Sequence, residues 1–137
     1  MSVLVTDAGF GPVPTVSFVA LADIATHTGA VNLAHTDDPE ALEVYLPGIT
    51  LIRVAFPAFN DGRAFTIARR LRELGYRGTL RANGPVIADQ YPMARRVGFD
   101  QVEIPDELAI RQPEPQWLLR ADWQAHDYQS RLRATNG

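Results

Sequence analysis

The stretch from Ile49 to Ile104 constrains the fold more than any other. It reads as strand, helix, strand, helix, strand, and a polar loop opens each helix. The loops are Asn60-Asp61-Gly62-Arg63 and Arg81-Ala82-Asn83-Gly84-Pro85. Ile49 to Phe56 is an apolar strand that Pro57 closes. A helix is expected over about Gly62 to Leu74, capped by Asn60 or Asp61 and stopped by Gly75. Its apolar stripe is Ala64, Ile67, Ala68, Leu71 and Leu74, at ~100° per residue. Arg63, Arg69, Arg70, Arg72 and Glu73 lie on the other side. Gly78 to Ala82 is the next strand. Pro85 to Val97 is helical by pattern, with Pro92 forcing a kink or a restart near Tyr91. Gly98 stops that helix, and Gln101 to Ile104 is the last strand.

The alternation within these strands separates two faces. Ile52, Val54, Phe56, Leu80, Ala82, Val102 and Ile104 make one face wholly apolar. Arg53, Thr79, Arg81, Gln101 and Glu103 mark the other, with Leu51 and Ala55. A doubly wound sheet is apolar on both faces. Right-handed crossovers between sequential parallel strands put every helix on one side. The expected fold is therefore α/β: a small, mostly parallel, singly wound sheet of about four strands. Its helices lie mainly on one face, like a fragment of a βα barrel. Both polar loops then open at the carboxyl edge, where open α/β sheets bind ligands. Arg81 and Glu103 are expected to pair, because an unpaired buried charge is costly. That pair could lie under the N-terminal arm or the C-terminal helix, line a pocket, or be covered by a second subunit.

The flanks read as parts of the same domain, residues 1–137. Residues 1–14 form an irregular arm with room for a short strand at Val3 to Thr6. A turn of helix is expected near Leu21 to Thr26 and a short strand at Ala30 to Leu33. Asp38 caps a helix from Pro39 to about Leu46, which Pro47-Gly48 stops. Glu107 to Pro115 is linker-like. Residues 115–133 carry Trp117, Leu118, Ala121, Ala125, Tyr128 and Leu132 at helical spacing and are expected to form a C-terminal helix.

Composition narrows the chemistry. There is no cysteine, so thiolate nucleophiles, disulfides and cysteine-ligated metal sites are excluded on this chain. All 13 basic residues are arginine, so no lysine can form a Schiff base or grip a phosphate. Any anion must be held by an arginine fork or by backbone N–H groups. The net charge of −3 gives no pull towards nucleic acid or an anionic membrane. No run approaches the ~18 apolar residues of a membrane span, and no signal peptide is read at the N-terminus. The cytoplasm is the expected location. His27, His35 and His126 lack metal-ligand spacing, and no metal or cofactor is expected. No serine elbow or dinucleotide fingerprint is present.

The loop at Asn60, Asp61, Gly62 and Arg63 opens a helix and offers N–H groups, a positive helix end and a cation. Arg81, Asn83 and Gly84 sit at the same edge. Asp89 is either a general base or an ion-pair partner for Arg63, and the pairing is preferred. These eight residues are the candidate anion site.

The run from Phe56 to Arg72 resembles bacterial domain-of-unknown-function family 934, through Phe56-Pro57, Phe59, Asp61-Gly62-Arg63, Ala68-Arg69 and Leu71-Arg72. Gly75-Tyr76-Arg77-Gly78, Gly84, Asp89-Gln90 and Gly98-Phe99-Asp100 are similar to its next block, and Tyr128-Gln129 is family-like. The likeness covers about Asp37 to Ile104. Thr66 stands where the family has Ser, Pro85 where it has an acid, and Pro92 is unexpected. The resemblance implies a link to sulfite reduction and sulfate assimilation, since such genes lie beside sulfite reductase and carry an oxidoreductase label.

The expected function is an accessory or small-anion-binding protein of sulfite reduction. A second possibility is an oxidoreductase or other enzyme with Asp61, Asp89 or His35 as base; two of these within ~4 Å in a deep pocket would favour it. A third is a scaffold that docks on sulfite reductase through exposed Trp117 and Trp123. Open sheet edges make a homodimer the expected assembly.

Overall fold

A computed structural model describes residues 1–124 of the chain. They form one open sheet of seven strands. In chain order these are β1 (Ser2–Thr6), β2 (Gly9–Gly11), β3 (Val19–Ala20), β4 (Ala30–Leu33), β5 (Leu51–Ala55), β6 (Thr79–Asn83) and β7 (Gln101–Pro105). Their order across the sheet is β2-β1-β7-β6-β5-β4-β3. Strands β3 to β7 are parallel to their neighbours among themselves, whereas β1 is antiparallel to both β7 and β2. The expectation of about four mostly parallel strands is thus corrected to a mixed sheet of seven.

The correction comes from the N-terminal arm. Residues 1–14, expected to be irregular, hold a hairpin. Ser2 to Thr6 alternates well enough to pair with Gln101–Pro105, in the register Val3 with Ile104 and Val5 with Val102. Gly9-Phe10-Gly11 then turns back along its outer edge. At the other end of the sheet, β3 is only two residues long.

Between β5 and β7 the expected elements appear. Helix α1 (Arg63–Glu73) buries Ala64, Ile67, Ala68 and Leu71 of the predicted stripe, while Leu74 follows as its half-buried C-cap. Burying side chains the size of Ile67 and Leu71 is worth roughly 1.5–3 kcal/mol each. Pro92 lies in the first turn of α2 (Tyr91–Val97), where its missing N–H costs nothing. A 3-10 turn, Ala88–Gln90, precedes it, so the helix does restart at Tyr91. The segment after Asp38 is a 3-10 helix, Pro39–Gly48, that runs through Pro47. Asp38 caps it by accepting a 3.0 Å bond from the Glu40 amide. Another 3-10 helix, Leu21–Thr26, falls at the expected turn.

Helices α1 and α2 touch each other, and α1 also touches β5. Ile52, Val54, Leu80, Ala82, Val102 and Ile104 are fully buried in the common core. The linker expected over Glu107 to Pro115 contains helix α3 (Asp106–Arg111), opened by two acids in its first turn. The expected continuous helix over residues 115–133 is also corrected. Helix α4 (Glu114–Leu118) ends in turns, and residues 125–133 lie outside the described residues. Trp117 of α4 is buried between Tyr91 and Phe10. The Glu114 carboxylate accepts a 2.8 Å bond from the Phe10 amide, so α4 closes the free edge at β2.

Arg72 does not lie on a solvated helix face as the wheel suggested. Its guanidinium donates to the carbonyls of Tyr76, Gly78 and Gly98 and to Asp100 Oδ2, at 2.7–3.1 Å. Asp100 Oδ2 also accepts from the Leu80 amide at 2.9 Å. Gly98, at φ +119°, leaves the space that the Arg72 stem occupies. One side chain thereby ties together the two turns that lead into β6 and β7 at the amino edge of the sheet. Arg72→Ala strands those carbonyls and should cost about 2–4 kcal/mol in urea unfolding. Arg72→Lys should recover less than half, because an ammonium cannot span the fork. A loss under ~0.5 kcal/mol for the alanine variant would refute the clamp.

Candidate functional site

The second face of the sheet carries a polar network set by strand register. Asn32, Arg53, Arg81 and Gln101 are partners in one row across β4, β5, β6 and β7. Glu103 stands two residues further along β7, opposite Asn83. Its Oε1 accepts from Arg53 Nη1 at 3.0 Å and from Arg81 Nη1 at 3.1 Å. Its Oε2 accepts from the Ser2 hydroxyl at 2.9 Å. Arg81 Nε donates to Gln101 Oε1 at 2.8 Å, and Arg53 Nε to Asn32 Oδ1 at 2.8 Å. The expected Arg81–Glu103 pair is present, with Arg53 as a third member.

Both members of that pair are buried, Arg81 to 3% exposure and Glu103 to 7%. Burial pushes the Glu103 carboxyl up, but the bonds from Ser2, Arg53 and Arg81 outweigh it and hold it below its ordinary value. Burial pulls the Arg81 guanidinium down, against the opposing pull of Glu103. The Arg53 guanidinium lies 4.0 Å from the centre of the Phe18 ring. Phe18 ends the segment that leads from β2 at one end of the sheet to β3 at the other. Pro12 and Pro14 favour an extended backbone in that segment.

Beside Arg53 the face hollows into a cleft of about 320 Å³. Three alanines, Ala20, Ala34 and Ala55, stand where larger side chains would fill it. Its polar lining is Asn32, Asp37, Arg53 and Asn83. Among the described residues, nothing accepts from Arg53 Nη2 or from the amide nitrogens of Asn32 and Asn83. Asp37 Oδ2 accepts from the Ala34 amide at 2.8 Å. The cleft thus offers a guanidinium and two amides that keep donors free.

The eight residues expected from sequence divide. Asn83 lines the cleft, and Arg81 lies behind it in the network. Gly84 has φ +145°, and an added Cβ would run into the Phe56 carbonyl oxygen. Glycine there lets the loops after β5 and β6 close on each other. Asn60, Asp61, Gly62 and Arg63 do not line the cleft. Asp61 is not the helix cap, which falls at Gly62 without a side-chain bond. Its carboxylate instead takes Arg63 in a fork at 3.0 and 2.6 Å and accepts the Arg63 amide at 3.1 Å. Arg63, with its side chain 58% exposed, is neutralised by a residue two positions away. The expected Asp89–Arg63 pair is absent, because Asp89 meets Arg120 of the α4 end.

The loops after β4 and β5 also bring His35 Nε2 to 3.9 Å from Asp61 Oδ2. Hydrogen bonds from Arg63 hold the Asp61 carboxyl down at about 2, with a smaller contribution from His35. That makes Asp61 a weak base, and neither residue lines the cleft. His27 accepts from the Gly29 amide through Nδ1. His126, Tyr128 and Gln129 lie outside the described residues. Trp117 is buried and Trp123 half-buried, so the two tryptophans form no exposed patch. Among the described residues no group of acids and histidines has the geometry of a metal site. No helix there is long and apolar enough to cross a membrane.

Sequence reading missed Arg53, Asn32, Asp37 and Ala55 as site residues. The available signal was Arg53 spaced two from Ala55, with Asn32 on the preceding strand. The chain belongs to the family described as "Bacterial protein of unknown function (DUF934)", whose model matches residues 30–136. Those residues include every cleft residue except Ala20. No curated protein and no solved structure matches the chain.

Glu103→Gln should destabilise the fold by about 3 kcal/mol at neutral pH, because two guanidiniums lose their shared carboxylate. The wild-type contribution is present above the ordinary glutamate value of 4.5 and is lost as pH falls through the lower native value. Urea unfolding followed from pH 7 to pH 2 should therefore show a shallower acid decline in Glu103→Gln than in wild type. Parallel declines would show that Glu103 is not held as a carboxylate.

Proposed function

We propose that this family member binds a small anion in the cleft beside Arg53. The observation that carries the reading is Arg53 itself. Its guanidinium is oriented by Asn32, Glu103 and the Phe18 ring, yet nothing among the described residues accepts from its Nη2, and Arg53 lines a hollow together with Asn32 and Asn83. A guanidinium whose orientation is already set loses little freedom on gripping an oxyanion. The site sits near the carboxyl edge of the parallel strands, where open α/β sheets commonly place their ligands. Two guanidiniums share one carboxylate, so the network carries an excess positive charge close to the cleft.

The resemblance to proteins encoded beside sulfite reductase makes sulfite the first oxyanion to try. In that setting the protein would be a cytoplasmic accessory of the reductase machinery. A second reading, catalysis at the carboxyl edge, is favoured by the approach of His35 to Asp61. It would need Arg63 to release Asp61.

Calorimetric titration with sulfite, sulfate and phosphate tests the first reading. At least one should bind, and Arg53→Gln should weaken it at least ~10-fold, about 1.4 kcal/mol. Arg63→Ala should leave binding unchanged, because that charge is already spent on Asp61. Absence of binding, or equal binding by wild type and Arg53→Gln, removes the proposal.

A further inference from the structure

The cleft holds charges of both signs, and this narrows its ligand. Arg53 lies on one side of the lining and Asp37 also contributes to it. One oxygen of Asp37 is occupied by the Ala34 amide, and the other has no partner among the described residues. Arg53 and Arg81 against Glu103 leave one positive charge in excess, and Asp37 cancels it. A bare oxyanion would gain from Arg53 but work against Asp37. A molecule with an anionic head and an amine would satisfy both.

The hollow is also large for an inorganic oxyanion. At ~30 Å³ per water, about 320 Å³ has room for on the order of ten waters. The alanines that create it present methyl groups, which suit a short methylene body. We infer that the cleft takes a small zwitterion, an amino acid whose carboxylate meets Arg53 and whose amine meets Asp37. This rests on the anion site proposed above and adds the chemical class of its ligand.

Two series separate the two readings: β-alanine and γ-aminobutyrate, and their amine-free counterparts propionate and butyrate. Backbone amide resonances of Ala34 and Ala55 report binding. For wild type, one of the amino acids should bind at least ~10-fold tighter than the acid of equal length, about 1.4 kcal/mol. Asp37→Asn keeps an oxygen for the Ala34 amide and should fold. It should abolish that preference without weakening the amine-free acids. Ala55→Leu, which fills the hollow and leaves every donor in place, should weaken the amino acids at least ~10-fold.

The zwitterion falls, and the anion site stands, if propionate or sulfite binds wild type as tightly as either amino acid. It also falls if Asp37→Asn keeps the preference. If no amino acid, carboxylate or oxyanion binds, both readings fall together.

Discussion

Glu103 accepts from Arg53, Arg81 and Ser2 on the side of the sheet away from its apolar core, and the rest of the structure depends on that sharing. A guanidinium as buried as Arg81 is tolerated only when a carboxylate faces it. Register supplies one: with β6 and β7 parallel and Arg81 opposite Gln101, Glu103 falls one step along the same face. The antiparallel β1 then brings Ser2 to the free oxygen. Without β1, Glu103 would stand on an edge strand open to water. The N-terminal hairpin is therefore part of the electrostatics of the sheet as well as of its hydrogen bonding.

The two edges of the parallel strands are built differently. At the amino edge, Arg72 spends its donors on three carbonyls of two turns and on Asp100. That guanidinium keeps no donor for a ligand. At the carboxyl edge the loops are joined by backbone proximity at Gly84 and by the approach of His35 to Asp61, which also pairs with Arg63 within its own loop. Side chains of the strands themselves, Asn32, Arg53 and Asn83, line the cleft and keep donors unspent among the described residues. Rigid strands hold these groups more firmly than loops would, which is what a binding site needs.

Much of this was legible in the chain. The core row from Ile52 to Ile104, the stripe of α1, the restart at Tyr91 and the Arg81–Glu103 pair follow from period, capping and the cost of burying charge. The N-terminal hairpin was obscured because Gly9, Gly11, Pro12 and Pro14 read as loop residues, while pairing with β7 decides the matter from a hundred residues away. Helix α3 was hidden by its shortness and by Pro113 and Pro115, although Asp106 and Glu107 marked its start. A helical wheel places Arg72 among exposed arginines. It cannot show that the turns at Gly78 and Gly98 fold back over that side chain.

The site itself was misplaced for a physical reason. Reading loops at the carboxyl edge directs attention to Arg63, whose charge precedes a helix. A loop arginine with an aspartate two residues back has a partner at no cost in chain entropy, and Asp61 takes it in a fork. Arg53 cannot pair so locally, because its neighbours along β5 point to the opposite face. Its partners must come from other strands, and they come in fixed positions: Asn32 on β4 and Glu103 two strands away. Glu103 is already committed to Arg81, so one carboxylate serves two cations and Arg53 retains bonding capacity. A cation that must share its counter-ion, held rigid beside a hollow left by alanines, is better placed to bind than one exposed on a loop with a carboxylate of its own.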